Sequence, residues 1–340
     1  MEMKNGVMFK LDPGGSGTGF GNFLEIGPLD SNLKPRTSTW LRKADLLFVD
    51  NPVGTGYSFV ESLGQFAKSD WDAADDMTTL LTKLSNNTIN LNNTPFYIFA
   101  ESYGGKFAVT LALSLLRSIR AGHLKLNLQG VALGDSWISP EDFTDFYNFM
   151  LDLDLDPVIS TTKSLESNSI NSVRLKGRKS SFFGYKNYKP GGEGNLEALM
   201  NGPIKQKLKI IPPDVTWGGQ SDKVLEFFTA EFMKPRIKEV DELLAQGVNV
   251  TIYNGQVDLI CSTKGAEAWI NKLKWNGLKS FLNTQRTPLF CGKEKGTKGF
   301  TRSHQNLNFY WILGAGHFVP VDQPCVTLNM VGAITQSPGS

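Results

Sequence analysis

Residues 95–116, PFYIFAESYGGKFAVTLALSLL, decide the fold of this 340-residue chain. The apolar run Phe96–Phe99 is typical of a buried strand, and from Lys106 apolar residues recur every three or four positions, which is typical of a helix. Between them, the small residues of Ala100–Gly105 (AESYGG) allow a sharp turn from strand to helix. Such a turn exposes its central serine beside helix amides that favour negative charge. We therefore interpret Ser102 as a nucleophile.

Short apolar runs and amphipathic stretches alternate on both sides of this segment. The other predicted strands are Leu46–Val49, Gly130–Gly134, Asn249–Tyr253 and Asn308–Leu313. The predicted helices are Ser69–Leu84, a helix from Lys106 that stops at Gly122, and Val224–Leu244, which Pro235 divides or kinks. This alternation predicts an α/β fold with a mostly parallel central sheet and helices on both faces.

The stretch from about Pro140 to Gly194 breaks the alternation. We interpret residues 1–140 and 195–340 as one core domain, and residues 141–194 as an insertion or lid that is partly disordered. The basic and aromatic tract Arg174–Lys189 has the composition of a single-strand nucleic-acid binder. We prefer a mobile surface loop for this tract, and likewise for the basic segment Lys293–Arg302.

Composition argues against several classes of function. The 35 basic and 33 acidic residues leave a net charge of +2, so a dedicated nucleic-acid binder is not expected. No apolar run reaches the ~18 residues of a membrane-spanning helix. The three cysteines Cys261, Cys291 and Cys325 have no C-x-x-C pair and no histidine at ligand spacing. We therefore expect no metal site, no cofactor and at most one disulfide.

A serine nucleophile needs a base, and the chain has three histidines. His123 follows a predicted helix end and His304 lies in the basic segment, so we interpret both as structural or solvated. His317 lies in the Gly-rich loop after the strand Asn308–Leu313 and is the candidate base. Asp258, which follows another strand, is the candidate acid that orients it. The order Ser, Asp, His is that of the α/β-hydrolase fold, and all three residues follow strands whose carboxyl ends share one edge of the sheet.

Seven segments resemble the serine carboxypeptidase family, most closely the retinoid-inducible branch and its plant serine carboxypeptidase-like relatives. They are Ala44–Ser58, Pro95–Lys106, Gly130–Pro140, Leu199–Ile211, Trp217–Gln220, Tyr253–Ile260 and Phe309–Gln323. The motifs E-S-Y-G-G, N-G-Q-x-D and G-A-G-H are together highly specific. The resemblance implies an α/β-hydrolase fold and removal of the C-terminal residue of a peptide through an acyl-enzyme, usually at acid pH. Ser102 is then the nucleophile, His317 the general base and then acid, and Asp258 its orienter.

The resemblance also implies substrate-binding roles. The main-chain N–H of Tyr103 would be an oxyanion donor, and Glu101 would bind the free carboxylate of the substrate, with Asn51, Glu25 and Lys10 in the same site. Two carboxyl groups that meet must share a proton, so this binding weakens as pH rises. The alternative for Glu101 is an acid that favours the start of a helix.

The sequence departs from the family pattern at Lys10–Gly14 (KLDPG), where the family has an amide residue followed by Gly-Gly-Pro-Gly. Lys10 replaces the amide, and Asp12 replaces the glycine that supplies the second oxyanion N–H. Losing one such donor lowers turnover by about 10²–10³. Leu24 replaces the first residue of a Glu-Glu pair and leaves only Glu25. We therefore expect impaired activity. The alternatives are an inactive binding protein that keeps the pocket, and an acyltransferase that acts on small alcohols.

Family resemblance also bears on location. The first 30 residues contain no signal peptide, and the family has several strands before this point, so we expect the chain to begin inside the domain. The resemblance implies a secretory route, to an extracellular, vacuolar or lysosomal destination. Sequons at Asn86, Asn92 and Asn249 fit that route, although Asn249 lies in a predicted buried strand and is not expected to carry sugar. The implied partner is a peptide with a free C-terminus.

Overall fold

The computed structural model describes residues 6–11, 17, 19–87, 91–144, 173–175, 178–180, 192–218, 221–292 and 296–337. The strands are β1 (Val7–Leu11), β2 (Asp45–Phe48), β3 (Pro95–Glu101), β4 (Asn127–Gly134), β5 (Val173–Leu175), β6 (Arg178–Ser180), β7 (Asn249–Gly255), β8 (Thr287–Leu289), β9 (Gly299–His304) and β10 (Leu307–Ile312). The helices are α1 (Asp70–Asn87), α2 (Gly104–Arg120), α3 (Gly192–Leu199), α4 (Lys205–Leu208), α5 (Asp222–Phe232), α6 (Ile237–Ala245), α7 (Thr263–Ile270), α8 (Leu278–Asn283), α9 (Val319–Asp322) and α10 (Pro324–Ile334). Short π-helical turns span Gly21–Ile26 and Met200–Ile204, and 3₁₀ turns span Trp40–Arg42 and Leu63–Gln65.

One eight-stranded sheet lies at the centre, in the order β2-β1-β3-β4-β7-β10-β9-β8. The six strands from β2 to β10 pair in parallel, whereas β9 and β8 add antiparallel strands at one edge. The predicted mostly parallel sheet is therefore confirmed. Strands β5 and β6 form a separate antiparallel pair. The rest of the predicted lid between residues 145 and 191, and Asp12 near the start, lie outside the described residues.

Helices cover both faces of the sheet, as predicted. Along β3, Phe96 and Ile98 pack into a large core with α1, α2, α6 and α7. The alternate residues Tyr97 and Phe99 pack into a second core with α10. This period-two alternation is what a strand buried on both faces requires, because successive side chains point to opposite sides of the sheet.

The five predicted strands are all present, two of them shifted by one residue. The predicted helix Val224–Leu244 is two helices, α5 and α6, because Pro235 lies in the segment between them. The sequence reading missed β1, β5, β6, β8 and β9, and the interpretation of Arg174–Lys189 as a loop is wrong where β5 and β6 lie. The interpretation of Lys293–Arg302 as a loop is wrong from Gly299 onward, since β9 begins there. Such edge strands take their register from a neighbour, here β10, rather than from an apolar pattern of their own.

The described cysteines form one disulfide, within the expectation of at most one. Cys291 and Cys325 form a disulfide that joins the segment after β8 to α10, and Cys261 is a free, buried thiol. In the described ranges, no helix is both long enough and apolar enough to cross a bilayer.

We expect Leu115→Ala to lower the free energy of unfolding by about 2–5 kcal/mol. Leu115 lies on α2 in the large core and is fully buried, so the truncation leaves a cavity between the helix and the sheet. Leu225→Ala on α5 is the control, because that side chain is 45% exposed and its truncation should change stability by less than about 1 kcal/mol. Urea unfolding of both variants measures the difference, and equal losses would contradict this packing.

Candidate active site

Ser102 occupies a strained turn between β3 and α2. Its φ is +56°, in the left-handed region that non-glycine residues rarely adopt. Its amide donates to the carbonyl of Gly134 at 3.0 Å, and its carbonyl accepts from the amide of Trp137 at 2.8 Å. A Cβ at Gly105 would lie 2.4 Å from the side chain of Ser136, so only glycine lets α2 start this close to the end of β4. The turn leaves Ser102 partly exposed at the edge of the sheet.

Asp258 and His317 form a buried hydrogen-bonded pair. Nδ1 of His317 lies 2.9 Å from Oδ2 of Asp258, while Oδ1 of Asp258 accepts from the amide of Ile260 at 2.9 Å. Burial alone would raise the pKa of Asp258, but the imidazole and the hydrogen bonds hold that pKa below its usual value. An ionised Asp258 keeps the imidazole proton on Nδ1. Nε2 then carries the lone pair that a general base needs.

The loops that carry these two residues are held together by the backbone and by Gln256. The amide of Gln256 donates to the carbonyl of Ile312 at 2.9 Å, and its side-chain oxygen accepts from the amide of Gly314 at 3.1 Å. The amide of Val257 donates to the carbonyl of Ala315 at 2.9 Å. The N-G-Q-x-D and G-A-G-H motifs are therefore two sides of one structure that sets the distance between acid and base.

The three candidate residues follow β3, β7 and β10, which run parallel within one sheet. Ser102, Asp258 and His317 are thus carried to the same edge, and the last two are in contact. The other histidines lie elsewhere: His123 is exposed just beyond α2, and His304 ends β9 rather than lying in a loop. Tyr103 is the N-cap residue of α2, so its main-chain N–H precedes the first helical turn.

Lys10, Glu25 and Glu101 come together as a buried cluster. Nζ of Lys10 lies 3.4 Å from Oε2 of Glu25 and 3.5 Å from Oε2 of Glu101, and each side chain is at most 2% exposed. Glu101 is the last residue of β3 and not part of the first turn of α2, which excludes the alternative role at the start of a helix. One ammonium faces two carboxylates, so the cluster carries an excess negative charge when both are ionised.

Asn51 lies in a turn that Asp50 organises. A carboxylate oxygen of Asp50 accepts from the amide of Tyr57 at 2.8 Å, and its carbonyl accepts from the hydroxyl of Ser58 at 2.6 Å. Burial raises the pKa of Asp50 to about 6. Asn51 is itself 1% exposed, and neither polar atom of its amide is hydrogen bonded to another described residue. Buried amide groups of this kind are usually satisfied by a ligand or water.

Two further buried groups at this edge were missed from the sequence. Asp135 follows β4, and its carboxyl lies within hydrogen-bonding reach of Asp258. Tyr253, on β7, is fully buried with a hydroxyl that has no partner among the residues described. Burial raises the pKa of both groups. The sequence signal available for Asp135 was the tripeptide G-D-S at the end of a strand, but the spacing of these residues does not predict a function for the aspartate.

A buried ionic network fixes the helix that follows Ser102. The hydroxyl of Tyr103 donates to Oδ1 of Asp70 at 2.9 Å, Nε of Arg236 donates to Oδ2 at 2.7 Å, and Nζ of Lys106 lies 3.7 Å from the same oxygen. Burial lowers the pKa of Lys106 to about 8. From the sequence, Asp70 was expected only to favour the start of α1. The structure makes it the centre of a network that joins α1, α2 and α6.

Within the described part of the chain, one group of residues has the spacing of metal ligands. The donor atoms of Asp258, Cys261 and His317 lie within 4.8 Å of one another. The carboxylate and the imidazole already bond to each other, so a metal bound there would displace the acid–base pair.

Comparison with known proteins matches nearly the whole chain. A profile described as serine carboxypeptidase covers residues 12–155 and 158–337. Serine carboxypeptidase-like 51 of Arabidopsis thaliana is 50% identical over an alignment of 386 residues that covers 96% of this chain and 84% of the relative. Human retinoid-inducible serine carboxypeptidase is 43% identical over 373 residues, covering 95% of this chain and 82% of the relative.

A solved structure supports the fold. The crystal structure of Kex1(delta)p, a prohormone-processing carboxypeptidase from Saccharomyces cerevisiae, superposes with a TM-score of 0.79. The match covers 97% of this chain and 82% of that chain at 20% sequence identity. The eight-stranded, mostly parallel sheet is therefore that of an α/β-hydrolase fold, as the sequence predicted.

We expect Asp70→Asn to lower the free energy of unfolding by about 3–5 kcal/mol, because it leaves the buried Lys106 without a paired carboxylate and removes one of the three carboxylates that pair with Arg236. The control is Asp76→Asn on the same helix. Asp76 is exposed and is repelled by neighbouring acids, so its neutralisation should change stability by no more than about 0.5 kcal/mol. Urea unfolding at neutral pH compares the two, and a small effect at Asp70 would contradict the network.

Proposed function

Because the chain belongs to the serine carboxypeptidase family, we propose that it removes C-terminal residues from peptides through an acyl-enzyme formed on Ser102. The observation that carries the proposal is the hydrogen bond between Asp258 and His317, at the sheet edge where the strained turn presents Ser102. Family membership supplies the reaction class. The geometry supplies a nucleophile, a base and its orienting acid in the chain order of the fold.

The reaction follows from these positions. Oγ of Ser102 attacks the scissile carbonyl while Nε2 of His317 accepts its proton, and Asp258 stabilises the imidazolium. The main-chain N–H of Tyr103, at the N-terminus of α2, stabilises the developing oxyanion. His317 then protonates the leaving amine, and the C-terminal residue departs. Water attacks the acyl-enzyme by the reverse proton transfers and frees Ser102.

Recognition of the substrate's free carboxylate is assigned to Lys10, Glu25, Glu101 and Asn51. All four side chains are buried and polar, and Lys10 and Glu25 form one cluster with Glu101 at the end of β3 that leads to Ser102. Lys10 offers an ammonium, and the amide of Asn51 offers a donor with no other described partner. A substrate carboxylate adds a third negative charge to this group. Binding therefore takes up a proton and weakens as pH rises.

Location in the secretory route is part of the proposal and rests on family resemblance. The sequon residues Asn86, Asn92 and Asn249 are all exposed, which is compatible with glycosylation. Asn249 differs from the sequence expectation, since it is the first residue of β7 and its side chain is exposed, donating to the carbonyl of Gln129 at 3.0 Å.

We expect Ser102→Ala to abolish labelling by a fluorophosphonate probe and to lower peptide turnover by about 10⁶. The matched control is Ser114→Ala on α2, whose hydroxyl bonds to Thr78 and Asp75 and which should label like the wild type. Labelling is followed by gel fluorescence, and release of the C-terminal residue by mass spectrometry. A wild-type chain that does not label is an inactive binding protein. A chain that labels but transfers acyl groups from a glucose ester, without hydrolysing peptides, is an acyltransferase.

We expect the KM for peptides with a free C-terminus to rise with pH, by up to about tenfold per pH unit, because one proton is bound with the substrate. Glu101→Gln removes one negative charge and should leave KM nearly independent of pH. Steady-state kinetics from about pH 4 to about pH 7 measure this, with an amidated peptide as the comparison substrate. Glu141→Gln, at an exposed carboxylate, is the control variant. A pH slope that Glu101→Gln leaves intact would place carboxylate recognition elsewhere.

A further inference from the structure

Asp135 is held at this edge of the sheet by three hydrogen bonds with the end of β7. It follows β4 with a φ of +40°, and its amide donates to the carbonyl of Tyr253 at 2.9 Å. Oδ1 accepts from the amide of Gly255 at 2.8 Å and from the side-chain amide of Asn254 at 3.2 Å. Oδ2 receives no hydrogen bond from any donor in the described ranges, and the residue is fully buried.

The carboxyl group of Asp135 lies beside Asp258 because Gly255 bonds to both residues: its amide donates to Oδ1 of Asp135 at 2.8 Å, and its carbonyl accepts from the amide of Asp258 at 3.2 Å. A side-chain hydrogen bond between the two carboxyl groups contributes to the pKa shifts of both. A hydrogen bond between two carboxyl groups requires one proton, since two carboxylates have only acceptors. Asp258 already accepts from the amide of Ile260 and bonds to His317, so it is the better place for the negative charge. The proton therefore belongs on Asp135, whose Oδ1 is occupied by two N–H donors and whose Oδ2 is available to carry it.

We propose that Asp135 is a positioning residue for the hydrolytic reaction: its protonated carboxyl donates a hydrogen bond to Asp258 and so fixes the carboxylate that orients His317. The inference rests on the proposed function of Ser102, Asp258 and His317. Asp135 acts through Asp258 and touches neither substrate nor the reacting atoms.

The surroundings favour this proton. Asp135 is buried, and the charged groups that act on it are the carboxylates of Asp258 and Glu101, both of which oppose a further negative charge. Tyr253, packed beside it on β7, is neutral because burial raises the pKa of its phenol. Burial is the largest cause that raises the pKa of Asp135 well above its usual value; Asp258 and Glu101 add to it, and the hydrogen bond from the amide of Gly255 opposes it. Loss of the proton at high pH would set two carboxylates against each other beside His317.

Asp135→Asn and Asp135→Ala separate the hydrogen bond from the charge. Asparagine keeps an acceptor for Gly255 and a donor for Asp258 but cannot ionise, so kcat at acid pH should stay within about threefold of wild type, and the alkaline limb of the pH–rate profile should extend to higher pH. Alanine removes the donor, so kcat should fall about 10- to 100-fold with little change in KM, the factor expected for a hydrogen bond to a charged group. Full activity of Asp135→Ala, or an alkaline limb of Asp135→Asn identical to that of the wild type, would overturn the proposal.

Stability supplies a readout that does not depend on turnover. A buried acid with a raised pKa stabilises the fold below its unfolded pKa of about 4, and this contribution is lost as pH rises toward the folded pKa. The Tm of Asp135→Asn relative to wild type should therefore increase from about pH 4 to about pH 8. Asp142→Asn is the control: its buried carboxyl accepts from Ser139 and lies 2.9 Å from Nζ of Lys272, so the substitution removes a paired charge and should not raise Tm relative to wild type over this range.

The readouts distinguish failure of this inference from failure of the proposed function. A wild-type chain that never labels with the fluorophosphonate probe disproves the proposed function, whatever the Tm series shows. With a labelling wild type, a Tm trend without the change in the alkaline limb makes Asp135 merely structural and overturns its positioning role. If Asp135→Ala does not fold, the Asp135→Asn pH–rate profile alone decides.

Discussion

Burial of ionisable side chains at the carboxyl edge of the sheet is the constraint on which the rest of the site depends. Each buried charge must be matched by an opposite charge, a hydrogen bond or a proton, because desolvation of an unmatched ion costs several kcal/mol. Three separate groups among the described residues bring buried acids and cations together, the first with one cation for two acids. Lys10 lies between Glu25 and Glu101, Asp258 pairs with His317, and Asp70 holds two cations behind α2.

Close backbone approach is the second requirement, and particular glycines provide it. A Cβ at Gly134 would lie 2.2 Å from the ring of Tyr253, and one at Gly255 would lie 2.1 Å from the carbonyl oxygen of Gly316. The second contact brings the end of β7 against the histidine loop. The hydrogen bond between Asp258 and His317 can be short and buried because no side chain separates the two loops. The close packing at these glycines thus brings the hydrogen-bonded side chains at neighbouring positions together.

The sequence predicted those features that have a local signature. Apolar runs gave the inner strands, and the turn around Ser102 could be located because strand, small residues and helix are contiguous. Other features arise only from tertiary contact. Asp70 has the sequence context of an ordinary helix-start acid, and its partner Arg236 lies 166 positions away. Asp135 and Tyr253 likewise gain their environment from neighbouring strands. Strands β8 and β9 were missed because their pairing, β9 with β10 and β8 with β9, defines them rather than their composition.

The replacement of an amide by Lys10 changes the charge balance at this edge of the sheet. With an amide at position 10, Glu25 and Glu101 would face each other without a cation. Lys10 supplies one, yet the cluster still carries more negative than positive charge when its acids are ionised. The pair of Asp135 and Asp258 adds a second place where carboxyl groups exceed cations. On the proposed function, one proton is held on Asp135 and another is taken up with the substrate carboxylate, so a single physical cause would couple orientation of His317 and substrate binding to acid conditions.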